Sequence, residues 1–282
     1  MDQPVNIIFI LGMGHSGTTL TDIILGSHSQ ITSMGEMEKY GRYFAAPEKH
    51  RCTCGKRLVD CEYWNEVQRR IEAGADHWPV DLKTKNVFFE KNVTTFLRTA
   101  LNVCGKSWIS DSSKNGARLE RYQSSACFNV FTVYVIRDPR AVAFSWQKKY
   151  GLVNFFKILG KARQQFRRKV SGIKSMPHHY ILRYEDLVSD PEKEMRALMG
   201  RIGLQFERRQ LRFWEAPRHI FAGNSMMRRG DREIVHDVGY LEGIGFLRWL
   251  LSTLLCADLL ISMRYPLSKK GVQSMSSRHS PG

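Results

Sequence analysis

Acidic residues are scarce in this chain. Its 282 residues hold 43 Lys and Arg against 27 Asp and Glu, a formal charge of +16. Electrostatics therefore favours polyanionic ligands or an acidic surface as partners, and leaves the fold open. Nucleic acid is not singled out, because the basic residues are spread along the chain and neither C₂H₂ spacing nor an aromatic RNP segment occurs. Apolar runs fit to cross a bilayer are also missing. The most apolar late stretch, 244–263, is interrupted by Arg248 and Asp258, so it reads as a packed or surface-associated helix, with a peripheral membrane contact as the expectation attached to it. Met1 to Val5 lack the basic flank of a leader, and the first apolar run leads straight into glycines, which makes a cytoplasmic protein the expectation. Six cysteines are too few for a disulfide scaffold in a chain of this size. With 43% hydrophobic residues and no internal repeat, the chain is expected to form one domain over 1–265, followed by a mobile basic tail over 266–282.

What is present begins with Ile7 to Leu20. An apolar run of strand length ends in Gly12-Met13-Gly14-His15-Ser16-Gly17-Thr18-Thr19, after which Leu20, Ile23 and Ile24 fall at helical spacing. A strand, a glycine turn and a helix start make an anion cradle: glycine lets the backbone approach a ligand, and the helix offers unpaired N–H groups. Gly12 and Gly17 match the glycines of a P-loop, but Thr18 stands where that loop carries its lysine. The hydroxyls of Ser16, Thr18 and Thr19 remain, with His15 ahead of them. The fold expected is α/β and P-loop-like, three layers with a central, mostly parallel sheet flanked by helices.

Further along, Gly35-Glu36-Met37-Glu38 supplies carboxylates, and Cys52, Cys54 and Cys61 lie within ten residues, with His50 beside them. Three thiolates and an imidazole could hold zinc, but C-x-C is tighter than usual ligand spacing. A Cys54–Cys61 or Cys52–Cys61 disulfide, or plain thiols, fit as well. Trp108 to Asp111 reads as a short strand whose end carries Lys114. Val130 to Ile136 reads as a buried parallel strand, followed by Arg137 and an N-cap at Asp138-Pro139, with Ser145 eight residues beyond the arginine. A guanidinium and a hydroxyl so placed can hold a second anion. Basic residues at Arg163, Arg167, Arg168 and Lys169 read as a solvated helix face.

Two of these stretches together resemble the sulfotransferases that use 3'-phosphoadenosine 5'-phosphosulfate (PAPS), in a bacterial form related to the protein-tyrosine sulfotransferase branch. They are His15-Ser16-Gly17-Thr18-Thr19-Leu20 and Arg137-Asp138-Pro139-Arg140 to Ser145. Leu182-Arg183-Tyr184-Glu185-Asp186 resembles that family's Y-E-D segment, and Cys52 to Trp64 and His219 to Asn224 resemble features of its bacterial members. The resemblance implies a sulfuryl transfer from PAPS to an acceptor hydroxyl on a carbohydrate, lipid or small molecule, with no metal required. It implies that Gly14, His15, Ser16, Gly17, Thr18 and Thr19 bind the 5'-phosphosulfate. Arg137 and Ser145, with Lys149 or Arg228, would bind the 3'-phosphate, and Tyr184 would lie by the adenine. Glu36 would be the general base, with Glu38 the runner-up, and Lys114 and His15 would assist in catalysis. His15 departs from the family's Lys or Arg, because an imidazole with a reference pKa near ~6.5 carries its charge conditionally. The rival readings are an ATP-dependent P-loop phosphotransferase, which Thr18 and the lack of a convincing Walker-B aspartate disfavour, and a nucleotide-binding protein without catalysis.

Overall fold

A computed structural model describes residues 3–74, 79–151, 154–223, 234 and 236–277. Among them β1 (Val5–Gly12) leads through the glycine loop into α1 (Thr18–Gly26), then β2 (Ile31–Gly35), α2 (Tyr40–Phe44), α3 (Glu62–Ala73) and α4 (Phe89–Cys104). There follow β3 (Trp108–Asp111), α5 (Gly116–Gln123), β4 (Phe128–Ile136), α6 (Pro139–Tyr150), α7 (Asn154–Lys174), β5 (His179–Arg183), α8 (Tyr184–Ser189) and α9 (Pro191–Ile202). Short helices close the chain: α10 (Tyr240–Gly243), α11 (Phe246–Leu255), α12 (Ala257–Ser262) and α13 (Lys269–Ser277).

The strands form a five-stranded, mostly parallel sheet in the order β2-β3-β1-β4-β5, flanked by helices as the α/β reading expects. β1 and β2 both run parallel to β3, with Asn6 and Ile31 opposite Trp108. The near-continuous apolar run of β1 follows from this place inside the sheet: Ile7, Ile8, Phe9 and Ile10 are fully buried, as a strand covered on both faces requires. The chain gathers into two compact units where one domain was expected. One comprises Met1–Leu11, Thr18–Val133 and Ile202–Glu233, the other Gly12–Gly17, Tyr134–Arg201 and Ile234–Gly282. The glycine loop thus belongs to the second unit, although the strand before it and the helix after it belong to the first.

In the second unit the start of α6 sets the local geometry. Pro139 fits the first turn because its missing N–H is not needed there, and the Asp138 side chain accepts from the Arg140 N–H at 2.9 Å. Arg140 is fully buried and pairs with Asp138 at 2.7 Å. Its remaining donors reach the Pro266 carbonyl at 2.7 Å, the Leu267 carbonyl at 3.2 Å and the Thr253 hydroxyl at 3.0 Å. Trp249 stacks on the guanidinium and donates its own N–H to Leu267.

These bonds correct the expected tail. Residues 266–277 are built into the unit, with α13 in place and Val272 buried, because a buried cation collects their carbonyls. Of the expected tail, 278–282 lie outside the described residues. On the basic helix face the Arg163 and Arg167 side chains stay solvent-exposed while pairing with Asp258 at 2.9 and 3.0 Å. Replacing Arg140 by Ala strands the Asp138 carboxylate and the carbonyls of 266–267. We expect a loss of about 3–5 kcal/mol in urea unfolding and early proteolytic cleavage before residue 266.

Candidate functional site

The glycine loop is shaped by aromatic rings of its own unit. Trp146, on α6, donates its indole N–H to the Gly14 carbonyl at 3.0 Å, and a Cβ on Gly14 would sit 3.0 Å from the same ring. Gly17 takes a φ of 96°, and a Cβ there would fall 2.5 Å from Tyr184. Glycine is needed at both places for close approach, and at Gly17 for backbone conformation too. The buried Ser16 hydroxyl turns back to the Met13 carbonyl at 2.8 Å.

His15 sits between them with a φ of 69°, and its Nδ1 lies 2.9 Å from the Ser145 hydroxyl. Arg137 donates to the His15 carbonyl at 3.1 Å and stacks over the Tyr184 ring at 4.4 Å. The two residues expected at a 3'-phosphate, Arg137 and Ser145, are therefore brought to the loop expected at the 5' end, with Tyr184 beside them. Among the described residues the Arg137 Nε is buried and finds no acceptor. Its Nη2 meets the carbonyl and carboxylate of Asp237, both at 3.1 Å. Burial pushes the Asp237 carboxyl up, but Arg137 outweighs it and holds the pKa below the usual carboxylate value. Asp237 was not singled out in the sequence, since nothing local marks it. Lys149 is exposed on the last turn of α6, over Tyr150 at 5.2 Å. Arg228 lies outside the described residues.

The carboxylate of interest belongs to the first unit, where Thr18 is buried and Thr19 half-buried at the start of α1. β2 ends at Gly35, whose φ is 66°, and a Cβ there would come within 2.2 Å of the Ala222 carbonyl. That carbonyl accepts the Glu36 N–H at 3.0 Å, so the segment ending at Ala222 fixes the turn that carries Glu36. The Glu36 side chain is clamped by Lys114 at 2.8 Å and by Lys39. Burial raises its pKa, but the two ammonium groups together prevail and hold it below the usual carboxylate value. Lys114 is itself in the left-handed region at a φ of 61°, just before the Asn115 cap of α5.

Glu38 is otherwise committed: its carboxylate accepts from Thr84 at 2.7 Å and faces Arg118 at 3.7 Å. Asp111, at the end of β3, is bonded to Arg118 and Tyr122, both at 3.0 Å. One buried carboxyl went unread in the sequence. Asp22 on α1 accepts from Ser110 and Ser112, and its pKa is raised to about 6 by burial, against the lowering effect of those serines.

Also in the first unit, Cys52, Cys54, Cys61 and His219 place one donor atom each within 4.8 Å of one another. The Cys54 and Cys61 sulfurs are 3.7 Å apart, and His219 Nδ1 lies 3.3 Å from Cys61 and 3.8 Å from Cys52. His50, expected as the imidazole of this group, instead packs its ring against Tyr43 at 4.5 Å. The fourth member comes from 158 residues beyond Cys61, a separation that local spacing could not have signalled.

The family described as the sulfotransferase family matches the chain over residues 7–208. Two solved structures are similar to it. The sulfotransferase domain of the olefin synthase from Synechococcus PCC 7002 has a TM-score of 0.51 at 15% identity, covering 100% of this chain and 97% of that one. The sulfotransferase domain from the curacin biosynthetic pathway has a TM-score of 0.51 at 18% identity, covering 98% of each chain. At these identities the likeness is one of fold. No curated protein matches the chain in sequence.

Proposed function

The chain belongs to the sulfotransferase family, and from that premise we propose that it transfers a sulfuryl group from PAPS to an acceptor hydroxyl. The observation that carries the donor assignment is Arg137: a buried guanidinium with an unpartnered Nε, beside the Ser145 hydroxyl and the glycine loop, stacked on Tyr184. Arg137 and Ser145 would hold the 3'-phosphate. The loop from Gly14 to Gly17, with Thr18 and Thr19, would hold the 5'-phosphosulfate through backbone N–H and hydroxyl donors. His15 has a place in either set, since its ring reaches Ser145 from within the loop.

In the transfer, the acceptor oxygen forms a bond to sulfur while the bond from sulfur to the bridging 5'-phosphate oxygen breaks. Adenosine 3',5'-bisphosphate leaves with the electron pair, and the hydroxyl proton passes to Glu36. The clamp on Glu36 serves this role in a specific way. Two lysines keep it ionised and ready to accept a proton.

A second observation bears on where the acceptor is met. α11 leaves Phe246 at 81%, Leu247 at 67% and Leu254 at 66% exposure, with Leu250 and Leu251 also exposed. α7 packs against it and bears exposed Lys157 and Lys161. No helix among the described residues is long and apolar enough to cross a membrane. An exposed apolar helix face, on a unit whose neighbouring helix carries lysines, suits an anionic lipid surface, so a lipid or membrane-held glycan is the acceptor class we favour.

Four outcomes are expected. In calorimetry without magnesium, adenosine 3',5'-bisphosphate binds more tightly than AMP or ATP. Arg137→Ala then weakens it by about 10- to 100-fold, the worth of a charge-assisted hydrogen bond; equal affinity for AMP would remove the 3'-phosphate site and with it the donor assignment. Glu36→Gln keeps bisphosphate affinity but lowers kcat by on the order of 10²–10⁴. The acid limb of kcat lies below the usual carboxylate range and moves to higher pH in Lys39→Met, since losing a neighbouring cation raises the carboxyl's pKa. Finally, the protein cosediments with phosphatidylserine vesicles but weakly with phosphatidylcholine ones, and Leu247→Asp with Leu254→Asp abolishes the difference; unchanged cosedimentation in that variant would end the membrane reading.

A further inference from the structure

We propose that Cys52, Cys54, Cys61 and His219 form a closed zinc site that ties the loop of residues 50–61 to the segment backing the Glu36 turn. Zinc bound by thiolates at about 2.3 Å and by imidazole at about 2.0–2.1 Å in a tetrahedron separates sulfurs by about 3.8 Å, and sulfur from nitrogen by about 3.6 Å. The edges seen here are 3.7 Å between Cys54 and Cys61, 3.3 Å between Cys61 and His219, and 3.8 Å between Cys52 and His219. All four donors lie within 4.8 Å of one another, and their chemistry, three soft thiolates and one imidazole, is that of zinc rather than magnesium or calcium.

The surroundings are those of a metal knuckle. The loop turns tightly at Gly55, where φ is 89°, with the Cys52 N–H bonded to the Lys56 carbonyl at 2.9 Å. The His219 ring stacks on Tyr63 at 4.9 Å, which fixes the plane in which Nδ1 points. Cys52 and Cys61 are buried and Cys54 is exposed, so an ion has a way in. Four protein ligands leave no open position, and the site is structural rather than a place for chemistry.

Its consequence follows from the neighbouring bonds. Thr53 donates its N–H to the Ile220 carbonyl at 3.1 Å and its hydroxyl to the Arg218 carbonyl at 2.8 Å, while the Ile220 N–H returns to that hydroxyl at 2.9 Å. Two residues on, the Ala222 carbonyl takes the Glu36 N–H. A metal linking Cys61 to His219 closes a loop of 158 residues, and so stiffens the strip on which the Glu36 turn rests.

The test uses the whole protein purified under reducing conditions. Elemental analysis is expected to find one zinc per chain, and cobalt exchanged for it should give the visible bands of a tetrahedral ion and thiolate-to-metal charge transfer. Cys54→Ser, at an exposed position that folding tolerates, and His219→Gln should each lower metal content and shift those bands, whereas Cys127→Ser, outside the cluster, should do neither. Removing the metal with a chelator should lower Tm, and zinc should restore it. The proposal is overturned if reduced protein takes up neither zinc nor cobalt, if Cys54→Ser and His219→Gln leave uptake unchanged, or if mass analysis finds a Cys54–Cys61 disulfide in freshly isolated protein. None of these readouts depends on sulfuryl transfer, so they separate this site from the catalytic assignment.

Discussion

Bare backbone brought against bulky neighbours is the constraint on which the rest of this structure depends. At Gly14 and Gly17 the neighbours are the rings of Trp146 and Tyr184, and at Gly35 the neighbour is the Ala222 carbonyl. The approaches at Gly17 and Gly35 are closer than a side chain would allow and that at Gly14 is tight, and each fixes a turn of the candidate site. The first pair holds the anion loop beside Ser145 and Arg137. The third aims Glu36 at two lysines. A glycine loop made this way presents peptide N–H groups positioned by packing, which is how it would hold an anion on the proposed reading with little side-chain charge of its own.

The charges that are present are arranged in compensated pairs. Arg140 answers Asp138, Arg118 answers Asp111, and Arg137 answers Asp237. Removal of charge from water is expensive, and such pairs hold their geometry because breaking one leaves a bare buried ion. Arg137 differs from the other two in being matched by a carboxylate that is largely exposed, and in keeping a buried Nε free of any acceptor. Arg118 also keeps a buried nitrogen without a partner, but its carboxylate is fully buried, whereas Arg137 lies beside the glycine loop.

What the sequence conveyed was local. The strand–glycine–helix turn at Ile7 to Leu20, the β3 strand from Trp108 to Asp111 and the cap at Asp138-Pro139 stand where their patterns put them, because each is set by neighbours within a few residues. Arg137 and Ser145 were legible as a pair since one strand end and two helical turns fix their separation. The errors are long-range. His219 replaces His50 in the cysteine cluster across 158 residues, and the C-terminal residues expected to be mobile are held by a buried Arg140 far from them in sequence. Lys149 shares the sequence neighbourhood of Ser145 but stands exposed at the helix end, where spacing alone gave no warning.

His15 follows from the same geometry. Its backbone carbonyl is held by Arg137 and its ring lies 5.3 Å from Trp146, so the side chain leaves the loop in a direction set by both. From there a short, flat imidazole meets the Ser145 hydroxyl at 2.9 Å. A lysine stem at this position would carry its charge several bonds farther, past the hydroxyl rather than to it. The residue that interrupts the family pattern is thus the one that fits the distance, linking the loop to the strand-end pair by a hydrogen bond where a permanent cation would link them by charge alone. On the proposed reading, the anion would meet directed donors supported by one guanidinium, an arrangement that favours an oxyanion of matched shape over any negative charge of similar size.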